Sequence, residues 1–309
     1  MQRNFFDYIL ISLKGMAMGA ADVVPGVSGG TIAFISGIYE ELIDSISKIN
    51  LGALKILKKE GFAPFWKHIN GSFFLALFLG IGISVFSLAK GIKWLLANEP
   101  ISVWSFFFGL MVACILFLAK SVEKWSLATI LVMIISFAAA YGITTLPPLG
   151  SHDGLIFLFF AGALAICAMI LPGISGAFIL VLLGAYDTVL TAVDEKNIKV
   201  LAIIAVGAVF GLLSFSKILK WLFEHHRNLT IASLTAFIVG SLNKVWPWKQ
   251  VISTKIDAHG KVIPLLEKSV LPSSYDGNPQ VILAIVMALV GFFLLYGLEK
   301  WAGKLKTNP

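Results

Sequence analysis

Long apolar runs and short polar interruptions alternate along this chain with a spacing that points to membrane-crossing helices. A hydrocarbon core about 30 Å thick takes about 20 apolar residues in a helix. Runs of that order predict helices near 71–97, 101–120 and 125–146, then near 197–224, 229–245 and 280–300. Each triplet is preceded by an apolar segment broken in its middle: predicted helices at 5–24 and 28–46 flank the first break, and 154–171 and 174–192 the second. Residues 47–70 read as a basic amphipathic stretch, and a polar segment separates 229–245 from 280–300. Pro147 and Pro148 mark the boundary between the sets, because consecutive prolines disfavour a continuing helix.

The two sets repeat one another. Pro25-Gly26-Val27-Ser28-Gly29-Gly30-Thr31-Ile32, running on to Tyr39-Glu40, aligns with Pro172-Gly173-Ile174-Ser175-Gly176-Ala177-Phe178-Ile179, running on to Tyr186-Asp187, with seven of sixteen positions identical. Further along, Ser87, Lys90, Lys93 and Trp94 align with Ser214, Lys217, Lys220 and Trp221. Two correspondences in the same order indicate duplication. The expected fold is therefore an all-α polytopic membrane protein of two inverted repeats, residues 1–146 and 147–309. Each repeat has a re-entrant broken-helix hairpin (5–46 and 154–192) followed by three transmembrane helices.

Composition agrees with the bilayer as solvent. Of 309 residues, 58% are hydrophobic and 13% charged, with mean hydropathy +0.90, whereas a soluble domain carries about a quarter charged residues. Asp7 and Lys14 interrupt the first apolar run, so Met1 to Ala20 is not read as a cleavable signal. Cys114 and Cys167 lie far apart in apolar segments and read as core thiols. The net charge of +7 includes only two arginines, Arg3 and Arg227, and no nucleic-acid module accompanies it. Under the positive-inside rule it reports topology first. Lys48, Lys55, Lys58, Lys59 and Lys67 place loop 47–70 in the cytoplasm; Lys120, Lys124, Arg227 and the carboxyl-terminal Lys300, Lys304 and Lys306 fall on the same side. Both termini are then cytoplasmic. Segment 244–279 falls outside despite Lys244, Lys249, Lys255, Lys261 and Lys268, against the rule. If each hairpin enters and leaves by one face, each half crosses three times, and an odd number inverts the second half. Two full crossings per hairpin would give the same loop topology, so the sequence admits both.

The breaks carry the chemistry. Pro25 ends one helix, Gly26 permits unusual backbone angles, and Ser28 can cap the next helix. The amides of Ser28, Gly29, Gly30 and Thr31 then converge at the positive end of a helix dipole, an arrangement suited to phosphate or carboxylate. Pro172 and Gly173, with Ser175 and Gly176, repeat it; Ala177 and Phe178 replace the second glycine and the threonine, so this second site is expected to be tighter and drier. The bland alternative is a pair of tolerated kinks in helix packing. Asp22 stands in an apolar run three residues before Pro25 and is the candidate for coupling to a proton or sodium ion; its counterpart is Met169. Lys14 would pair with Asp22, meet an anion, or snorkel to the interface. Lys90, Lys93, Lys217 and Lys220 anchor helix ends beside tryptophans or form a cationic vestibule on each face. Glu40 and Asp187 read as facing water or pairing with a lysine, and His225 and His226 have no metal-ligand spacing. No cofactor, metal or catalytic group is expected.

Lys14-Gly15-x-x-Met18-Gly19-Ala20-Ala21-Asp22-x-Val24-Pro25-Gly26-Val27-Ser28-Gly29-Gly30-Thr31, with Leu171-Pro172-Gly173-Ile174-Ser175-Gly176, resembles the bacterial polyprenyl-phosphate transporters of the PopT type, formerly domain of unknown function 368. The likeness covers nearly the whole chain. It implies inward flipping of undecaprenyl phosphate across the bacterial plasma membrane, which recycles the lipid carrier of cell-wall and surface-glycan synthesis. On that reading Ser28, Gly29, Gly30, Thr31, Ser175 and Gly176 hold the phosphate, Lys14 neutralises it and Asp22 carries the coupling ion. Three rivals stand beside it, of which a packing or assembly subunit leaves the twin motifs without a purpose. A transporter of small water-soluble anions would need a closed pore in place of a lateral groove. A membrane polyprenyl-diphosphate phosphatase would need arginine- and histidine-bearing motifs that the chain lacks.

Overall fold

The computed structural model describes residues 3–24, 27–150, 154–256 and 262–307. Its first helix, α1 (Phe5–Asp22), starts on a capping box in which the Asn4 side chain accepts from the Asp7 amide at 3.0 Å and Asp7 accepts from the Asn4 amide at 2.9 Å. After the break come α2 (Gly29–Ile35) and α3 (Tyr39–Ser47), so the helix expected over 28–46 is divided. Gly37 divides it: its φ of +72° is readily adopted only by glycine. The basic stretch forms α4 (Leu51–Glu60) and α5 (Phe62–His68). Then come α6 (Gly71–Asn98), α7 (Pro100–Lys120), which opens on a proline suited to its first turn, and α8 (Leu127–Thr145).

The second half follows the same order. α9 (Leu155–Ile170) runs to the second break, and α10 (Gly176–Leu182) and α11 (Tyr186–Asp194) leave it, bent by 107° at Gly184, the repeat partner of Gly37, with φ +71°. The predicted helix 174–192 is thus also two. α12 (Ile198–Ser241) is interrupted at His226, whose φ −135° and ψ 40° leave the helical region and divide it where the sequence placed a turn. The polar segment holds an unpredicted antiparallel hairpin, β1 (Lys249–Ile256) and β2 (Val262–Ser269), before α13 (Val281–Thr307). The expectation of a wholly helical chain is corrected there: Val251, Ile252, Thr254 and Ile256 give β1 its β-branched content, but the lysines among them read as a polar segment.

Four helical stretches among the described residues are long and apolar enough to cross a membrane: Gly71–Leu88, Pro100–Lys120, Leu127–Thr145 and Ile198–Val245. The protein is a multi-pass membrane protein. Its helices approach one another through glycine, as they must where apolar burial alone does not drive association in lipid. Gly15 of α1 abuts the Leu77 carbonyl and Gly80 of α6 the Ser12 carbonyl; Gly162 of α9 abuts the Ile204 carbonyl and Gly207 of α12 the Phe159 carbonyl. In the register of the two sequence matches, these are the same two glycines twice. The remaining helices pack across the halves. Gly109 of α7 and Gly291 of α13 seat on the Ala288 and Phe106 carbonyls, while Gly240 of α12 meets the Phe137 carbonyl of α8, where Ser136 and Ser233 share a 2.8 Å hydrogen bond.

Polar contacts show which ends lie together. Arg3 bonds Glu41 at 2.5 Å, the Asn70 amide bonds Glu41 at 2.7 Å, Lys220 pairs with Asp44 at 2.7 Å, and Arg227 pairs with Glu40 at 2.8 Å. Asn228 accepts from the amides of Glu123 and Lys124 at 2.8 and 3.1 Å, so the start of α8 belongs to the same end. The nineteen residues of α8 then advance about 28 Å. Just beyond it the Leu149 amide donates to the Leu182 carbonyl at 2.8 Å, joining the entry and exit of the second broken hairpin.

Candidate functional site

The two breaks meet. Ser28, in extended geometry (φ −117°, ψ 131°), caps α2 by accepting from the Gly30 amide at 3.1 Å. Its hydroxyl also donates toward the carbonyls of Met169 and Leu171, at 3.1 and 3.2 Å, which close α9. The Thr31 hydroxyl accepts from the Gly173 amide at 2.9 Å. Gly30 lies against the Ile170 carbonyl, and any Cβ there would also come within 2.9 Å of the Met169 carbonyl. The positive end of α2 therefore sits on the negative end of α9. Ser28, Gly29, Gly30 and Thr31 are all buried. Gly173 adopts φ +98°, and a Cβ on it would collide with the Ser241 hydroxyl, so conformation and close approach both require glycine. Pro25 and Gly26 lie outside the described residues; Pro172 is buried in the second break.

Asp22 is brought to this point. Its Oδ1 accepts from the Gly29 amide at 2.7 Å, and a Cβ on Gly29 would stand 2.5 Å from its Oδ2. In this conformation the carboxylate occupies the amide end of α2. The second break has the same geometry with different chemistry. Met169 takes the place of Asp22, 3.3 Å from where a Gly176 Cβ would lie, and Ser175 makes no capping bond. The expectation that the second site is the tighter one is overturned: Ser175 is half-buried and Ala177 exposed, whereas their counterparts Ser28 and Gly30 are buried. Glycine at 30 lets the carbonyls of α9 seat on α2; the methyl of Ala177 has no equivalent partner.

Other singled-out residues lie apart from the crossing. Lys14 donates to the Ser36 carbonyl at 2.7 Å, at the far end of α2 from the Gly29 amide, where a cation suits the helix dipole. Lys90 and Lys93 are exposed near the end of α6, and Lys217 is exposed on α12. Lys220 is held by Asp44 and lies 3.8 Å from Glu224. Partial burial acts to raise the Asp44 pKa, but hydrogen bonds from Lys220 and Lys48 outweigh it and hold the carboxyl below its ordinary value. Glu40 is exposed, as one of its two readings held, and pairs with an arginine in place of the lysine of the other; His225 stacks on Trp221 at 5.2 Å.

Two features escaped the sequence. A cavity of about 570 Å³, between the ends of α2, α7 and the outgoing arm of α12, is lined by Phe34, Tyr39, Glu40, Cys114 and Arg227. On the other side, Lys244 lies over the Phe178 ring at 4.1 Å and Lys249 over the Trp104 ring at 4.0 Å. The dense run Lys244-Val245-Trp246-Pro247-Trp248-Lys249 was the available signal for the second.

Residues 18–263 match a family model described as undecaprenyl phosphate translocase-like. The chain is 47% identical over 302 residues to a polyprenyl-phosphate transporter of Vibrio cholerae, covering 96% of this chain and 98% of that one. It is 35% identical over 260 residues to a polyprenyl-phosphate transporter of Staphylococcus aureus, covering 78% and 87% respectively. No solved structure matches it.

Proposed function

The chain belongs to the undecaprenyl phosphate translocase-like family, and on that premise we propose that it flips undecaprenyl phosphate from the outer to the inner leaflet of the bacterial plasma membrane. The observation that carries this reading is the crossing of the two breaks, with Ser28 and Thr31 bonded to the backbone around Gly173. Contacts at the bases of the hairpins support entry from opposite faces, since α8 separates Asn228 from Leu149. That is the inverted-repeat plan of many secondary transporters, with binding near the midplane. The face bearing Arg3, Lys120, Lys124 and Arg227 is then cytoplasmic, a reading that the charges of loop 47–70 and of the 120–125 turn support.

A phosphate oxygen and the Asp22 carboxylate would compete for the Gly29 amide. Protonation of Asp22, or a sodium ion bound to it, withdraws the internal anion and frees α2 for the headgroup, so cation and phosphate move together. Coupling has work to do: each negative charge brought to a negative interior costs about 2.3 kcal/mol per 100 mV. At the second break the uncapped start of α10 is open, and the neighbouring Met169 is 42% exposed beside exposed Ala177. A head at Gly176 could keep its tail in lipid there, which favours a lipid over a small soluble anion.

The test is transbilayer movement of undecaprenyl phosphate in proteoliposomes, with and without a pH gradient. Protein-dependent movement that fails in Ser28→Ala and Ser175→Ala variants is expected. Absence of movement from folded wild-type protein would refute the reading.

A further inference from the structure

The segment that broke the positive-inside rule builds a site of its own. After α12 the chain makes a 3-10 turn, Leu242–Val245, and enters β1 through Trp246-Pro247-Trp248. The Trp246 indole donates to the Val270 carbonyl and the Trp248 indole to the Pro279 carbonyl, both at 2.8 Å, which fixes both rings; Trp246 also packs edge-on against Phe108 of α7. Within this aromatic frame lie the Lys244 and Lys249 ammonium groups, over Phe178 and Trp104. Lys249 donates to the Lys244 carbonyl at 2.7 Å, and its side chain is 12% exposed. The acid at hand is Glu267 of β2, 3.8 Å from Lys249 and itself 38% exposed. Two sheltered ammonium groups thus face one loosely held carboxylate. A cation withdrawn from water is costly unless an anion offsets it.

Position says which anion. Phe178 is in the first turn of α10, and the hairpin lies at the start of α7 and of α13, where Ile101, Trp248 and Ala284 pack together. That end of the molecule is opposite Arg227, on the side from which the second broken hairpin enters. A group held by Lys244 stands beside the open second break. Aromatic walls on a doubly basic floor suit a ligand that is dianionic at one end and apolar at the other.

We propose that Lys244 and Lys249, framed by the β-hairpin, receive the phosphate-monoester head of a prenyl lipid before it reaches the crossing. This rests on the transport reading above. The phosphate displaces Glu267 from Lys249 and bridges both ammonium groups, while the first isoprene units lie along Trp104 and Phe178.

The experiment uses full-length protein in nanodiscs of neutral lipid, with farnesyl phosphate, farnesol and inorganic phosphate as probes in calorimetry. In the Lys244→Gln/Lys249→Gln double variant the affinity for farnesyl phosphate is expected to fall roughly 10- to 100-fold, as for lost hydrogen bonds to a charged group. Lys249→Arg, which keeps the charge, should bind within about threefold of wild type, at the cost of some geometry. In wild-type protein, farnesyl phosphate should also protect Lys244 and Lys249 from an amine-acetylating reagent, a readout that needs no variant. Wild-type affinity in the double variant, with no protection, overturns this site alone. Inorganic phosphate binding as tightly as farnesyl phosphate assigns the site to the free anion and overturns the lipid assignment. No binding of farnesyl phosphate to wild-type protein overturns this site together with the reading it rests on.

Discussion

The bond across the two breaks can be removed with little change of shape. Thr31→Val replaces the hydroxyl that accepts from the Gly173 amide by a methyl, at a side chain 1% exposed. The amide is buried and loses its partner; leaving such a donor unsatisfied costs about 1–3 kcal/mol. At about 1.4 kcal/mol per tenfold, that is a rise of roughly 5- to 150-fold in the population of states with the breaks parted. Ser28 still bonds the carbonyls of Met169 and Leu171, so the crossing loosens without dissolving. Hydrogen exchange measured by mass spectrometry over 171–175 reads this directly. Pro172 carries no amide proton, so Gly173 contributes a large share of the signal. Exchange there should quicken by the stated factor in Thr31→Val and return to the wild-type rate in Thr31→Ser, which restores the acceptor. Unchanged exchange in Thr31→Val would refute the claim that this bond closes the crossing.

Asp22→Asn keeps an oxygen for the Gly29 amide but removes the titrating charge. Transport should persist at a reduced rate and lose its response to a pH gradient in proteoliposomes; a response equal to wild type would remove Asp22 from the coupling step. Lys249 has its pKa lowered to about 8: burial is the largest cause, Glu267 pulls the other way, and Lys244 adds a smaller lowering. The folded value lies below the ordinary 10.5, so as pH rises through about 8 the ammonium discharges in the folded protein while remaining charged in the unfolded chain. A phosphate monoester is already dianionic there, its second pKa being about 6. Farnesyl phosphate binding should therefore weaken between about pH 8 and 10, and Lys249→Arg should flatten that slope; an equal slope in both would place the titration on Lys244 or elsewhere.

The membrane helices were legible because their length is set by the bilayer: the expected 101–120 is observed as Pro100–Lys120, and 71–97 as Gly71–Asn98. The turn expected between 224 and 229 is found as the kink at His226. Both breaks were announced by Pro-Gly and Ser-Gly pairs. Gly37 and Gly184 were visible as repeat partners, but a helix tolerates an isolated glycine, and only the +72° and +71° angles identify the bends. What the sequence withheld was contact between the halves. Nothing local tells Thr31 that its partner is the amide of Gly173, or Gly30 that it supports the Ile170 carbonyl. The relative openness of the two breaks reversed for the same reason: it depends on what the opposite half presses against each. The lysines of 244–279 looked like an exception to a topology rule, and the burial of two of them, Lys244 and Lys249, against aromatic rings is a property of the folded hairpin.

The exchange of helices between halves bears on how the chain is made. The glycine face of α7 is completed by Ala288 and Gly291, which the ribosome supplies long after α7 itself, and α8 waits for Ser233 and Gly240. A nascent first half, although already threaded into the bilayer, has no partner of its own for these surfaces. Insertion and assembly are therefore separate events, and lipid must stand in for α13 until that helix has been made. A truncated product would leave a grooved α7 facing the membrane, a feature by which quality-control proteases could tell an unfinished chain from a finished one.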